Sequence, residues 1–231
     1  MDKKGGVWLE FSNILEGRGY LLGKAQLKQF QYFHELLCEA NSQFNLTRIT
    51  DLAEAVLKHY LDAYLIYEVL LEQKMGSIQS LLDFGSGTDV PGIPLKILLE
   101  NPALYLVDAR KKKIEYLKQT CHSLGFSGVN MIHANWNPAR AKAWSRDEGR
   151  LDLVVARAVG RAQVLLETLA PICKKALILP KGPSFSSQDW ASANALAQRL
   201  GFESGKAVST SIAFGQEEIQ RKILCWVRRK T

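Results

Sequence analysis

The stretch LLDFGSGTDVPGIPL, Leu81 to Leu95, constrains the fold more than any other, because within fifteen residues an apolar run becomes a glycine turn and then a helical pattern. An apolar run of this length ending at Asp83 has the make-up of a central parallel strand buried on both faces. Gly85 and Gly87 permit the sharp turn and close backbone approach that a nucleotide-like ligand requires. A Gly-x-Gly alone is a weak signature, so its weight comes from what stands around it.

What stands around it is a repeating strand–helix pattern. Strands are expected near 79–84, 103–108, 129–133, 151–156, 175–180, 203–210 and 219–228, with helices near 91–100, 110–124, 137–146, 160–172 and 187–200. Such repeats imply a parallel sheet covered on both faces, and the last two strands, having no helix between them, imply an antiparallel edge pair. Residues 1–75 read differently. Leu27, Phe30, Phe33, Leu36 and Leu37, and then Leu57, Leu61, Leu65, Ile66, Val69 and Leu70, recur at helical spacing. We therefore expect an N-terminal helical extension over 1–75 and a doubly wound α/β domain over 76–231. In the link NSQFNLTRITD, Asp51 is placed to cap the following helix, and Asn45 and Thr47 to bond the turn.

Composition narrows the partners. A net charge of +7 favours an anionic partner, nucleic acid first among them. Cys38, Cys121, Cys173 and Cys225 are far apart among apolar neighbours and read as buried reduced thiols. No apolar run approaches the roughly 20 residues needed to span a bilayer, and MDKKGG lacks a signal peptide's apolar stretch, so a cytoplasmic protein off the membrane is expected. The four histidines lack metal-ligand spacing, and no Gly-x-Ser-x-Gly elbow occurs, so no metal is assigned.

Asp108 ends the second strand some twenty residues beyond the glycine loop, where a carboxylate can accept bonds from both hydroxyls of a ribose. A helix cap is the competing role, and the loop upstream favours the ribose. Asp89, ahead of Val90 and Pro91, reads first as an N-cap; a pyrophosphate there would face its charge, with a repulsion of roughly 1 to 4 kcal/mol at about 4 Å. That disfavours a nicotinamide dinucleotide and admits S-adenosylmethionine, which carries no phosphate. The basic run from Arg110 to Lys118 reads mostly as a solvated face, whereas Arg157 and Lys181, each just past an apolar strand, are expected to face the crevice and touch substrate phosphate or base.

These residues resemble one family. NLTRITD, KHYLDA with His59 and Asp62, LLDFGSGTDVPGIPL, LVDARKKKIEYL, ARAVG around Arg157 and LPKG with Lys181 occur in the order of the blocks of the RsmG (GidB) family of bacterial 16S rRNA guanine-N7 methyltransferases. The resemblance implies a Rossmann-like class I methyltransferase fold: a seven-stranded, mostly parallel sheet with an antiparallel C-terminal strand. It implies S-adenosylmethionine bordered by Asp83, Gly85, Ser86, Gly87, Asp89, Pro91, Asp108, Trp136 and Asn137. It further implies 16S rRNA or the small-subunit particle as partner, faced by His59, Arg110, Lys112, Lys113, Arg157, Arg161 and Lys181, with a monomer expected. Arg157 and Lys181 are the positioning candidates, and no catalytic base is assigned. Two positions depart from the family's pattern, Asp89 where a third loop glycine is usual, and Asn137–Pro138 where an acidic pair is usual. They leave a second reading open, a catalytically impaired member that binds RNA or assembling ribosomes.

Overall fold

The computed structural model describes residues 3–74, 76–88, 90–100, 102–158 and 160–229. The leader forms α1 (Lys3–Gly17), α2 (Lys24–Phe44), α3 (Leu52–Ala55), a π-helical turn (Val56–Leu61) and α4 (Asp62–Glu72). Strands and helices then alternate: β1 (Ser80–Phe84), α5 (Gly92–Leu98), β2 (Ala103–Asp108), α6 (Lys111–Ser123), β3 (Val129–His133), α7 (Pro138–Glu148), β4 (Leu151–Val155), α8 (Ala162–Leu169), β5 (Cys173–Lys181) and α9 (Ser187–Arg199). The chain closes with β6 (Lys206–Phe214) and β7 (Glu217–Val227).

The seven strands lie in the order β3-β2-β1-β4-β5-β7-β6, with β1 to β5 parallel and β7 antiparallel to both neighbours. The expected α/β sheet with its antiparallel terminal pair is present, and within that pair the last strand lies inside while β6 forms the edge. Period-2 alternation sorts the strand residues onto two faces. Leu81, Leu104, Leu153 and Val155 pack with the leader, α5 and α6, while Leu82, Val107, Val154 and Leu177 pack with α8 and α9. The helical leader is thus one wall of a core continuous with the sheet. Its centre is Tyr60, fully buried, stacked on Trp8 at 5.9 Å and flanked by Phe30 at 5.4 Å and Phe33 at 6.0 Å. Rings buried in this way contribute about 1.5–3 kcal/mol each. The His34 ring lies 3.2 Å from the Tyr60 hydroxyl, which satisfies that polar tip.

The link before α3 behaves mostly as its residue types dictate. Asp51 accepts from the Glu54 amide at 3.0 Å, and Thr47 Oγ1 accepts from the Ile49 amide at 3.1 Å. Asn45 acts instead through its backbone, ending α2 in the left-handed region at φ 48°, and it is Asn41 whose side chain accepts from the Thr47 amide. Cys121, Cys173 and Cys225 are buried as expected, but Cys38 is only partly buried, its thiol against His34 and the Thr50 carbonyl. No helix of the described residues is long and apolar enough to cross a membrane.

Candidate functional site

Strand order reverses between β1 and β4, and parallel sheets open a crevice beyond the carboxyl ends of such strands. A cavity of about 600 Å³ occupies that place, a size suited to a cofactor. Its floor is Phe84 to Thr88 after β1, its sides are Val107 to Arg110 and Lys113 after β2 and Ala134 to Trp136 after β3, and Val164, Leu165 and Thr168 of α8 complete it.

The β1–β2 end is built locally and tightly. Gly85 and Gly87 sit at φ 77° and 59°, a region that suits glycine, and the amides of Gly85 and Ser86 donate to the Val107 carbonyl at 2.7 and 3.1 Å. Asp108 accepts from the Gly87 amide at 3.0 Å through one oxygen, and from the Arg110 amide at 2.8 Å and guanidinium at 3.3 Å through the other. Burial pushes the Asp108 pKa up, but these donors prevail and hold it below the usual carboxylate range. The residue is ionised and aimed before any ligand arrives. The helix-cap role does not apply, since Arg110 occupies the N-cap of α6. Beneath the loop, Asp83 is buried and accepts from the Gly92 amide at 2.8 Å, the first residue of α5. Burial raises its pKa to about 7, against the Gly92 bond and Arg157, which lower it, and with Asp108, which raises it.

The facing wall comes from remote segments. His59 and Leu46 of the leader line the cavity together with Arg157, Ala158 and Gly160 after β4. Asp62, 1% exposed, forms an ion pair with Arg157 at 2.9 Å and accepts from Arg221 of β7 at 2.7 Å, and Arg157 donates to the Lys58 carbonyl at 2.8 Å. One carboxylate therefore ties leader, β4 and β7 together at the site. Ala158 beside it holds φ 56°, an uncommon conformation for a residue with a Cβ. His59 is 6% exposed, and neither ring nitrogen has a hydrogen-bond partner among the described residues. Burial, with help from Arg157, lowers its pKa to about 4, so the ring is neutral at physiological pH, although the Lys58 backbone and Asp62 pull the other way.

Not every residue singled out from the sequence comes to the cavity. Gly85, Ser86, Gly87, Asp108, Trp136, His59, Arg110, Lys113 and Arg157 do. Trp136 stands as a wall, stacked on Phe84 at 6.1 Å and leaning on Trp144 at 5.3 Å. Asn137 does not line the cavity, because its side chain caps α7 by accepting from the Arg140 amide at 2.9 Å. Asn135 takes the lining position instead. Pro91 holds the N-cap of α5 below the cavity, so the capping role expected of Asp89 belongs two residues later; Asp89 itself lies outside the described residues. Arg110, bonded to Asp108, and Lys113 line the cavity, while Lys112 is exposed on α6. Arg157 is not an open-crevice cation, since its side chain is 19% exposed and paired. Arg161 is exposed at the start of α8, and Lys181 donates to the carbonyl of the lining residue Gly160 at 3.2 Å, at the rim.

Sequence reasoning missed Arg221, Val164 and Thr168. The first lies 159 residues from Asp62, with no local signal to connect them. The other two read only as the apolar and polar positions of an amphipathic helix.

A family model described as rRNA small subunit methyltransferase G matches residues 26–221. Among curated relatives, the ribosomal RNA small subunit methyltransferase G of Leuconostoc citreum is 31% identical over 211 residues, 90% of this chain and 87% of that one. A Streptococcus thermophilus protein of the same name is 38% identical over 168 residues, 71% of this chain and 68% of that one. Solved structures share the fold at low identity: a magnesium protoporphyrin IX methyltransferase from Synechocystis (TM-score 0.52, 12% identity, 89% of this chain and 100% of that one) and a precorrin-6y C5,15-methyltransferase from Geobacter metallireducens (TM-score 0.51, 12% identity, 71% and 87%). The chain belongs to the rRNA small subunit methyltransferase G family.

Proposed function

We propose that this member of the family transfers a methyl group from S-adenosylmethionine to N7 of a guanine in small-subunit ribosomal RNA. The observation that carries the reading is the preset Asp108 carboxylate, held by Gly87 and Arg110 in a switch-point cavity whose opposite wall is supplied by the leader. The residues fit that cofactor. Asp108 takes the ribose hydroxyls, the Gly85–Gly87 loop admits close backbone approach, and Trp136, Val164 and Leu165 give apolar walls for a purine. Bound S-adenosylmethionine supplies an electrophilic methyl group on a sulfonium.

The rest falls to the protein as positioning. Guanine N7 carries an in-plane lone pair and no proton, so no general base is required. Aligning nucleophile and methyl group accounts for up to about 7–11 kcal/mol of barrier lowering, and the target base must leave its stack to reach the cavity. His59 and Arg157 face the base; Lys181, Arg161 and Lys112, outside the lining, meet RNA phosphates as the chain docks. On this reading the protein works as a monomer in the cytoplasm, with 1–75 an extension that helps form the substrate wall and 76–231 the catalytic domain.

The binding-only alternative draws on the departures at Asp89 and Asn137. Asn137 caps a helix outside the cavity, so its substitution removes nothing from the lining. Radiolabelled methyl transfer to unmethylated small-subunit particles, with the modified position mapped, tests the proposal. Incorporation no greater than with heat-killed protein overturns it, and RNA binding without cofactor binding in calorimetry would establish the alternative.

A further inference from the structure

Both nitrogens of His59 are buried and unpartnered among the described residues, in a protein where the other polar groups at the site are closely satisfied. Leaving a buried donor and acceptor unmade costs about 1–3 kcal/mol, and a leucine or phenylalanine would fill the space without that cost. The ring stands on a π-helical turn, a rare geometry that recurs at functional sites, and it lines the cavity beside Arg157. Burial, helped by the neighbouring Arg157, keeps the imidazole uncharged, and because Asp62 meets the Arg157 charge no free positive charge is added.

We infer that His59 is the contact that orients the target guanine, donating one ring N–H to the guanine O6. The inference rests on the function proposed above. O6 and N7 are adjacent acceptors on the same edge of guanine. A donor placed on O6 therefore locates N7 while leaving its lone pair free for the methyl group. Neutrality matters because methylation leaves the base cationic: an imidazolium at O6 would withdraw electron density from N7 and repel the product, and a neutral imidazole does neither. The Lys58 backbone approaches the ring, but neither ring nitrogen makes a hydrogen bond of good geometry among the described residues, so the tautomer is free to follow the base. His59 contacts the substrate on this view, whereas Asp62 acts through Arg157 and is a positioning residue.

The test uses the full-length protein with three readouts: affinity for S-adenosylmethionine by calorimetry, kcat/KM for unmethylated small-subunit particles, and thermal midpoint. His59→Phe should lower kcat/KM by ~10- to 100-fold, the range for one lost base-edge contact, while cofactor affinity stays within about twofold. Its thermal midpoint should hold or rise, which a purely structural histidine would not allow. His59→Gln, whose amide can still donate, should recover part of the rate. The inference is overturned if His59→Phe transfers methyl groups as well as wild type, if cofactor affinity falls in parallel with the rate, or if Gln does no better than Phe and both lower the midpoint. A wild-type protein that transfers no methyl group would sink the proposed function instead. In that case particle affinity by filter binding decides on His59, and an unchanged affinity for His59→Phe overturns the inference.

Discussion

The two walls of the cavity are made by opposite means. The β1–β2 wall is local: Gly85, Gly87, Asp108 and Arg110 lie within 26 residues of one another, Asp108 accepts from the amides of Gly87 and Arg110, and Asp83 beneath the wall accepts from the Gly92 amide. The facing side gathers His59, Asp62, Arg157 and Arg221 from segments up to 162 residues apart, and the buried Asp62 carboxylate pairs with both arginines. The local wall is fixed once strand and turn form. The remote wall exists only when leader, β4 and β7 are all in place, so its integrity should depend far more on global stability.

Asp62→Ala should expose that difference most strongly. It leaves Arg157 and Arg221 without their carboxylate, and removing one partner of a buried pair costs about 3–5 kcal/mol. The side chains of the two arginines remain 19% and 22% exposed, so the low end, about 3 kcal/mol by urea denaturation, is expected. Methyl transfer should fall while any residual folded protein keeps its cofactor affinity. Asp108→Asn is the converse. Charge-assisted hydrogen bonds are worth about 1.5–3 kcal/mol, so affinity for S-adenosylmethionine should weaken by ~10- to 100-fold in calorimetry with little change in particle binding. Equal loss of both affinities in either variant would erase the distinction between the walls.

The two walls also carry opposite pH dependences. Asp83 has a folded pKa of about 7, above its unfolded value of about 3.9, so the folded state holds the extra proton and this contribution to stability is lost as pH rises from about 4 to 7. His59, at about 4 when folded and about 6.5 when unfolded, works the other way: its contribution is lost as pH falls from about 6.5 to 4. Subtracting the Asp83→Asn stability profile from wild type should therefore leave a component that declines with pH, and subtracting His59→Phe one that climbs. Two slopes of the same sign would contradict the burial assigned to one of the groups. The smallest effect is expected from Asp89→Gly. Because Pro91 occupies the cap position of α5 and Asp83 holds its first amide, a change in stability within about 0.5 kcal/mol by urea denaturation is predicted.

How much was legible follows the same division. Every strand from β1 to β7 was expected within a few residues of where it lies, because buried parallel strands are near-continuous apolar runs and the turns between them carry glycine, proline or capping residues. The pairing of the glycine loop with Asp108 was legible too, since one βα unit brings its own ends together. Asn137 misled because a residue following a strand end is equally suited to capping the next helix, and the local pattern is the same for both. Arg157 misled because a lone cation past a strand says nothing of a carboxylate 95 residues earlier that will meet it.

The sequence by itself thus determined the sheet, the order of its elements, the glycine loop and the strand-end acid that meets it, all products of short-range geometry and hydrophobic period. Only the tertiary structure decided that Asp62 would clamp two arginines, that the leader would form a wall of the cavity, and that His59 would stand buried with both nitrogens unmet. Charge pairing and burial depend on which distant surfaces come together, and no local pattern of residues encodes that.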